Sequence, residues 1–200
     1  MTGVQTCALP ISGKLTYIGD ADQEPGHVSI IAQSGGLSMD MLRRGRRLGV
    51  KYRAVVSVGN SADLGPAELI QWFLDDDDTQ VVGLYLEDAR RGRQLFDALQ
   101  RARATKPVVL LVGGLTAEGA RAAGSHTGAL AGDARAWSAL ADQCGLVLTS
   151  DLDEFMRALL VLQTLVPRPE QPTRNVVLLD RKSTRLNSSH SQQSRMPSSA

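Results

Sequence analysis

Two cysteines in 200 residues, Cys7 and Cys144, are too few for a disulfide framework, and a reducing compartment, the cytoplasm, is the simplest expectation. No apolar run approaches the roughly 18 residues that a membrane-spanning helix needs, so no membrane partner is expected. The chain also lacks an excess of either charge. A formal net of +1 gives no electrostatic basis for binding nucleic acid or an acidic lipid surface. Aromatic residues are scarce at 4%, whereas the 42% hydrophobic content is ordinary for one globular domain with a full core.

The two ends differ in composition from the middle. Residues 180–190, Asp-Arg-Lys-Ser-Thr-Arg-Leu-Asn-Ser-Ser-His, back-translate in frame into a sequence that looks like a common short-read library adapter, and residues 194–200 look like that adapter's far end. Residues 1–11 fit the reverse-strand adapter in the same way. The alternative, a natural leader and a serine-rich disordered tail, would need three in-frame matches by chance. Residues 1–11 and 180–200 are therefore expected to be artefactual and to pack against nothing. The remaining 168 residues carry a net charge of −2.

Within that segment strand and helix patterns alternate. Residues 12–26 read as the end of a truncated preceding domain or a linker, closed by the turn signal Pro25-Gly26. Short β-branched runs at 27–33, 54–58, 81–87, 107–112 and 146–149 predict five strands. Helical spacing of Leu37, Met41, Leu42 and Leu48 follows the first strand, and Pro66 suits the first turn of a helix over 66–74. Residues 91–104 and 133–143 supply two more helices, and Asp151 caps a last one ending near Leu165. This order predicts an α/β fold, a flavodoxin-like doubly wound parallel sheet over residues 27–166. Residues 167–174 read as a linker and 175–179 as the first strand of a truncated next domain.

Such a sheet gathers ligands at the carboxyl ends of its strands. Gln33-Ser34-Gly35-Gly36, Gly59-Asn60, Glu87-Asp88 and the loop from Gly113 to Gly132 all fall at that edge. The loop is built of small residues around one histidine, His126, and glycine and alanine at that density let backbone approach a ligand closely. Each turn has a plain alternative. Ser34-Gly35-Gly36 is either a tight strand-to-helix turn or, through the free amides of a helix N-terminus, a phosphate site. Glu87 either ends a strand in solvent or holds the imidazole of His126 in one tautomer. Gly59-Asn60 reads as a turn. The run Asp75 to Asp78 is placed on the opposite rim and reads as a solvated turn rather than a metal site. Arg43, Arg44, Arg46 and Arg47 read as a solvated helix face.

Taken together, Gln33-Ser34-Gly35-Gly36, Ser57-Val58-Gly59-Asn60, Leu84-Tyr85-Leu86-Glu87, Lys106-Pro107-Val108 and Ser125-His126-Thr127-Gly128-Ala129-Leu130-Ala131-Gly132 resemble, in order, the NDP-forming acyl-CoA synthetases. These are relatives of succinyl-CoA synthetase and the ADP-forming acetate–CoA ligases. The likeness spans nearly all of residues 25–165. Where many relatives carry a lysine and a Gly-Arg pair, this chain has Leu111-Val112-Gly113-Gly114.

The resemblance implies that His126 is phosphorylated, that Glu87 orients it, and that Ser34, Gly35, Gly36, Thr127 and Gly128 hold the phosphoryl group. It also implies CoA, ADP or ATP and Mg2+ in a complete enzyme. The partners it implies are a CoA-binding Rossmann domain, an ATP-grasp domain or subunit, a small carboxylic acid and phosphate, in an oligomeric assembly. This fragment alone is expected to be inactive. A second reading is a non-catalytic ligand-sensing domain, as in relatives joined to a protein acetyltransferase. A third, an FMN-binding flavodoxin, lacks the aromatic residues expected to flank a flavin in these turns.

Overall fold

The computed structural model describes residues 7–10, 24–61, 64–88, 91–103, 105–115 and 133–165. The β-branched runs form the five expected parallel strands, β2 (Val28–Ala32), β3 (Tyr52–Ser57), β4 (Val81–Leu86), β5 (Val108–Val112) and β6 (Val147–Thr149). Their order is β3-β2-β4-β5-β6, so the chain starts at the centre, steps once outward and then returns across β2 to build the other half. Among the described residues five helices cover them: α1 (Gly35–Leu48), α2 (Pro66–Asp75), α3 (Gly92–Arg103), α4 (Ala134–Cys144) and α5 (Leu152–Leu162).

Side chains alternate along each strand and so divide the core into two layers. On one face Val28, Ile30, Ala32, Val55, Val109 and Leu111 meet Met41 and Leu42 of α1 and Phe155, Met156 and Leu159 of α5. On the other, Ile31, Val56, Val82, Leu84, Leu86 and Leu110 meet Ile70 and Phe73 of α2, Leu95 and Leu99 of α3, and Trp137 of α4. The strands are apolar on both sides because both faces are covered, as parallel sheets require. The capping signals act as expected. Asp151 accepts the Glu154 N–H at 2.8 Å, Asp133 accepts that of Arg135 at 2.9 Å, and Pro66 sits in the first turn of α2.

Two expectations change. Residues 7–10 form a further strand, β1 (Cys7–Pro10), antiparallel to β3 with Cys7 opposite Ser57 and Pro10 opposite Ala54. The expectation that residues 1–11 pack against nothing thus fails at these four. The reason is that β3 is the edge of the parallel sheet, and its unpaired backbone N–H and C=O groups template any extended segment whatever its side chains. Residues 12–23 and 166–200 lie outside the described residues.

The second concerns the run Asp75 to Asp78. It does lie on the amino rim, as expected, but Asp76 is not a solvated turn residue. Its side chain is 14% exposed and faces Arg53, which is 18% exposed, across two contacts, Nε to Oδ2 at 3.2 Å and an NH2 contact to Oδ1 at 3.3 Å. The Thr79 hydroxyl donates to Asp76 Oδ2 at 2.6 Å. With its one hydrogen so used, it accepts from Ser29 Oγ, 2.8 Å away beneath the sheet. Burial pushes the Asp76 carboxyl up, but the Thr79 hydroxyl and the Arg53 guanidinium outweigh it and hold the group below the ordinary aspartate value. The Arg43–Arg47 face of α1 is exposed as expected, with Arg44 reaching Asp153 of α5 at 2.8 Å.

Asp76→Asn is expected to cost about 1–3 kcal/mol at neutral pH, since hydrogen bonds to a charged group are lost. Because the folded pKa lies below the unfolded one, this stabilisation is complete above the unfolded value of about 3.9 and fades as pH falls through the folded value. Urea midpoints of the two proteins should therefore differ at pH 7 and converge in acid.

Candidate functional site

The carboxyl edge of the sheet is organised by one residue just beyond β2. Gln33, only 8% exposed, accepts the backbone N–H groups of both Glu87 (2.6 Å) and Asp88 (3.1 Å) on its Oε1. Its Nε2 donates to Asp88 Oδ1 and Ser61 Oγ, each at 3.3 Å. Only this orientation of the amide satisfies both ends, because two N–H donors fix the oxygen and a carboxylate fixes the nitrogen. Gln33 N–H also donates to Tyr85 O at 3.1 Å, so the ends of β2 and β4 are tied through backbone and side chain alike. Sequence reasoning placed Gln33 in the right turn but gave it no role. A polar residue at the end of an apolar strand was the available signal.

Around Gln33 the edge divides between the two faces of the sheet. On the α1 face lie Ser34, Gly35 and Glu87. Ser34 caps α1 by accepting the Leu37 N–H at 3.3 Å, and no acidic residue stands in the first turn to repel an anion. Gly36 is open: a Cβ added there would meet nothing within 4 Å. A Cβ at Gly35 would come 3.7 Å from Ser57 Oγ, a buried hydroxyl without a hydrogen-bond partner among the described residues. The first N–H groups of any helix lack intrahelical acceptors, so this end of α1 offers donors to an anion and leaves it room.

Glu87 stands two residues beyond Tyr85 on the same side of β4, and the Tyr85 hydroxyl donates to Glu87 Oε1 at 3.2 Å. Gly113 is the next residue of β5's edge, with its N–H on Leu86 O at 2.7 Å. There the chain leaves the sheet for the segment bearing His126. His126, Thr127 and Gly128 lie outside the described residues. His27 is at the amino rim, its Nδ1 2.9 Å from Asp78 O.

On the opposite face a cleft of about 310 Å³ opens between α2 and α3, lined in part by Gln33, Asn60, Ser61, Glu68, Arg91 and Leu95. The Gly59-Asn60 turn therefore shares the carboxyl edge with Glu87 but opens onto the other face. Ser61 and Arg91 both adopt left-handed backbone there, at φ 53° and 58°, which non-glycine residues seldom do.

A protein-family profile described as the succinyl-CoA ligase-like flavodoxin domain matches residues 25–162. The chain belongs to this family. It is a member of the NDP-forming acyl-CoA synthetases. Among relatives, it is 34% identical over 161 residues to the acetate–CoA ligase (ADP-forming) I subunit alpha of Pyrococcus furiosus, covering 80% of this chain and 34% of that one. It is 36% identical over 141 residues to acetate–CoA ligase (ADP-forming) I of Archaeoglobus fulgidus, covering 70% and 21%. In three dimensions it is similar to a dinucleotide-forming acetyl-coenzyme A synthetase 1 of Ca. Korarchaeum cryptofilum in complex with phosphate and ADP. There the TM-score is 0.70 at 33% identity, over 76% of this chain and 34% of that one. The chain thus spans about a third or less of the length of these relatives, which carry further domains or are named as subunits. Among the described residues of this succinyl-CoA ligase-like domain, no helix is long and apolar enough to cross a membrane.

Replacing Gln33 tests whether it organises the edge. Gln33→Ala strands two backbone N–H groups, and a loss of about 2 kcal/mol is expected. Amide hydrogen exchange should accelerate at Glu87 and Asp88 more than in the middle of β4. Uniform acceleration along the strand would show instead that Gln33 only fills space.

Proposed function

We propose that this domain belongs to an ADP-forming acyl-CoA ligase that interconverts acyl-CoA, ADP and phosphate with a carboxylic acid, CoA and ATP, through a phosphorylated His126. What supports the reading is the placement of Glu87 on the α1 face, beside Gly113, where the chain departs toward His126 and within the same edge as the open end of α1.

In the direction of ATP synthesis, phosphate displaces CoA from the acyl group to give an acyl phosphate. The neutral imidazole of His126 then attacks phosphorus, the bond from phosphorus to the acyl oxygen breaks, and the carboxylate leaves. Glu87 holds the other ring N–H, fixing the tautomer and stabilising the positive charge that develops on the ring. The amides at Ser34, Gly35 and Gly36, with Thr127 and Gly128, neutralise the phosphoryl oxygens. The loop around His126, made of small residues, carries the phosphoryl group to ADP at a second site, and every step is reversible.

Mg2+ neutralises nucleotide phosphate charge where it binds. Among the described residues no group of three or more His, Cys, Asp and Glu side chains is arranged to hold a metal ion. As the family resemblance implies, the nucleotide and its Mg2+ are assigned to an ATP-grasp partner, CoA to a Rossmann domain, and the assembly to the cytoplasm.

The test uses an enzyme that contains this domain together with its CoA-binding and ATP-grasp parts. Incubated with Mg-ATP labelled on the terminal phosphate, it should take up label that survives alkali and is lost in acid, as a phosphoramidate is. His126→Ala should abolish the label and Glu87→Gln should reduce it, while His27→Ala leaves it unchanged. Label retained in His126→Ala would contradict the reading, and no label in the unmodified enzyme would favour the ligand-sensing module.

A further inference from the structure

Glu87 does not stand alone on the α1 face. Tyr85 precedes it by two residues on β4, so both side chains leave the same side of the sheet. The register of β4 with β5 pairs Tyr85 with Leu111 and Leu86 with Val112, which brings Gly113 alongside Glu87. Gly113 has no side chain, and that space is occupied. A Cβ built there would lie 2.5 Å from the Tyr85 hydroxyl oxygen, 3.1 Å from the adjoining ring carbon and 3.4 Å from Glu87 Cγ. Contacts under 3.0 Å are not tolerated, so a larger residue at 113 would displace the phenol from the carboxylate. The hydroxyl itself donates to Glu87 Oε1 at 3.2 Å.

Rigid backing completes the arrangement. The Glu87 N–H is fixed by Gln33 at 2.6 Å, and the Tyr85 ring packs against the core layer shared by α1 and α5. The carboxylate is thus held at its backbone by one residue and at one oxygen by another, with no partner for the second oxygen among the described residues. Burial, and next the Glu87 charge, push the Tyr85 phenol above its ordinary value, so it remains a protonated donor throughout the working pH range.

We propose that Tyr85 is a positioning residue for the phosphoryl-transfer step: its hydroxyl, in the space that Gly113 leaves open, holds the Glu87 carboxylate in one orientation. The proposal rests on the phosphohistidine reading above, and it assigns Tyr85 no contact with substrate. A carboxylate that loses one of two restraints still carries its charge but spends less time in the geometry that supports the ring, and misplacement of such a group lowers rate rather than binding.

Two experiments together test it. In the 200-residue chain, a double-mutant cycle of Tyr85→Phe and Glu87→Ala is read by urea midpoint. The double variant should shift the midpoint no further than the more damaging single variant, because both remove one interaction. In the complete enzyme, Tyr85→Phe should lower kcat about tenfold with KM for phosphate unchanged, and should cost nothing further in a Glu87→Ala background. Gly113→Ala, which displaces the same hydroxyl from the other side, should reproduce the kcat loss even if Tyr85→Phe folds poorly. Additive midpoint shifts, a raised KM with unchanged kcat, or a full further loss in the Glu87→Ala background would each overturn the role of Tyr85. The two readings fail separately: label retained in His126→Ala removes the phosphohistidine while leaving the cycle in the isolated chain intact, and an additive cycle removes Tyr85 while leaving the labelling intact.

Discussion

The side-chain amide of Gln33 is the contact on which the carboxyl edge depends. Parallel strands leave their terminal N–H groups pointing past the last ladder bond, and a buried donor without a partner costs about 1–3 kcal/mol. Gln33 Oε1 satisfies two of these at once, on Glu87 and Asp88, while its Nε2 engages Asp88 and Ser61. A neutral residue with an acceptor at one end and a donor at the other is the chemistry this position calls for. A carboxylate could take the two N–H groups but would then face Asp88 with like charge. The consequence reaches beyond stability, because the backbone of Glu87 is fixed relative to β2, and β2 leads directly into the cap of α1.

From that one tie the two sides of the edge acquire different characters. The α1 face presents helix donors, an open glycine, a buried Ser57 hydroxyl with no partner among the described residues, and a carboxylate supported by Tyr85. Its open helix donors suit an anion. The α2 and α3 face presents a cleft in which Glu68 and Arg91 already meet at 3.3 Å, so its charges are partly neutralised within the protein. The same strand ends therefore serve two environments, and among the described residues only the first combines open helix-terminal donors with the Glu87 carboxylate. The opposite rim shows the contrast: there Asp76, Arg53, Thr79 and Ser29 form a partly buried polar network that also reaches Asp78, and the group acts on stability.

Much of this was legible in the residues because period and punctuation agree. β-branched runs bounded by glycine, proline or aspartate marked five strands, Pro66 and Asp151 marked helix starts, and alternation of strand and helix fixed the parallel order and hence which turns share an edge. What stayed hidden depends on side chains meeting across sequence separations of 23 to 55 residues. Nothing in the run Asp75 to Asp78 reveals that Asp76 turns inward to Arg53 while Asp78 stays exposed. Nothing local shows that Gly113 is a glycine because Tyr85 reaches over it. The division of the edge into two faces also escaped, since turns that share a rim read alike until the parity of Gln33 and Glu87 is set by register. The pairing of residues 7–10 with β3 was missed for a different reason: an edge strand recruits backbone, and backbone carries no sequence signature.

The central claim is that Glu87 and the imidazole of His126 act as a pair. The most direct measurement is nitrogen-15 NMR of the His126 ring, labelled selectively in the complete enzyme and followed against pH with and without Glu87→Gln. A carboxylate against the ring stabilises its protonated form, so the account predicts a titration midpoint above the ordinary histidine value of about 6.5, one dominant neutral tautomer, and loss of both in the variant. A midpoint at the ordinary value with mixed tautomers, unaffected by Glu87→Gln, would contradict it.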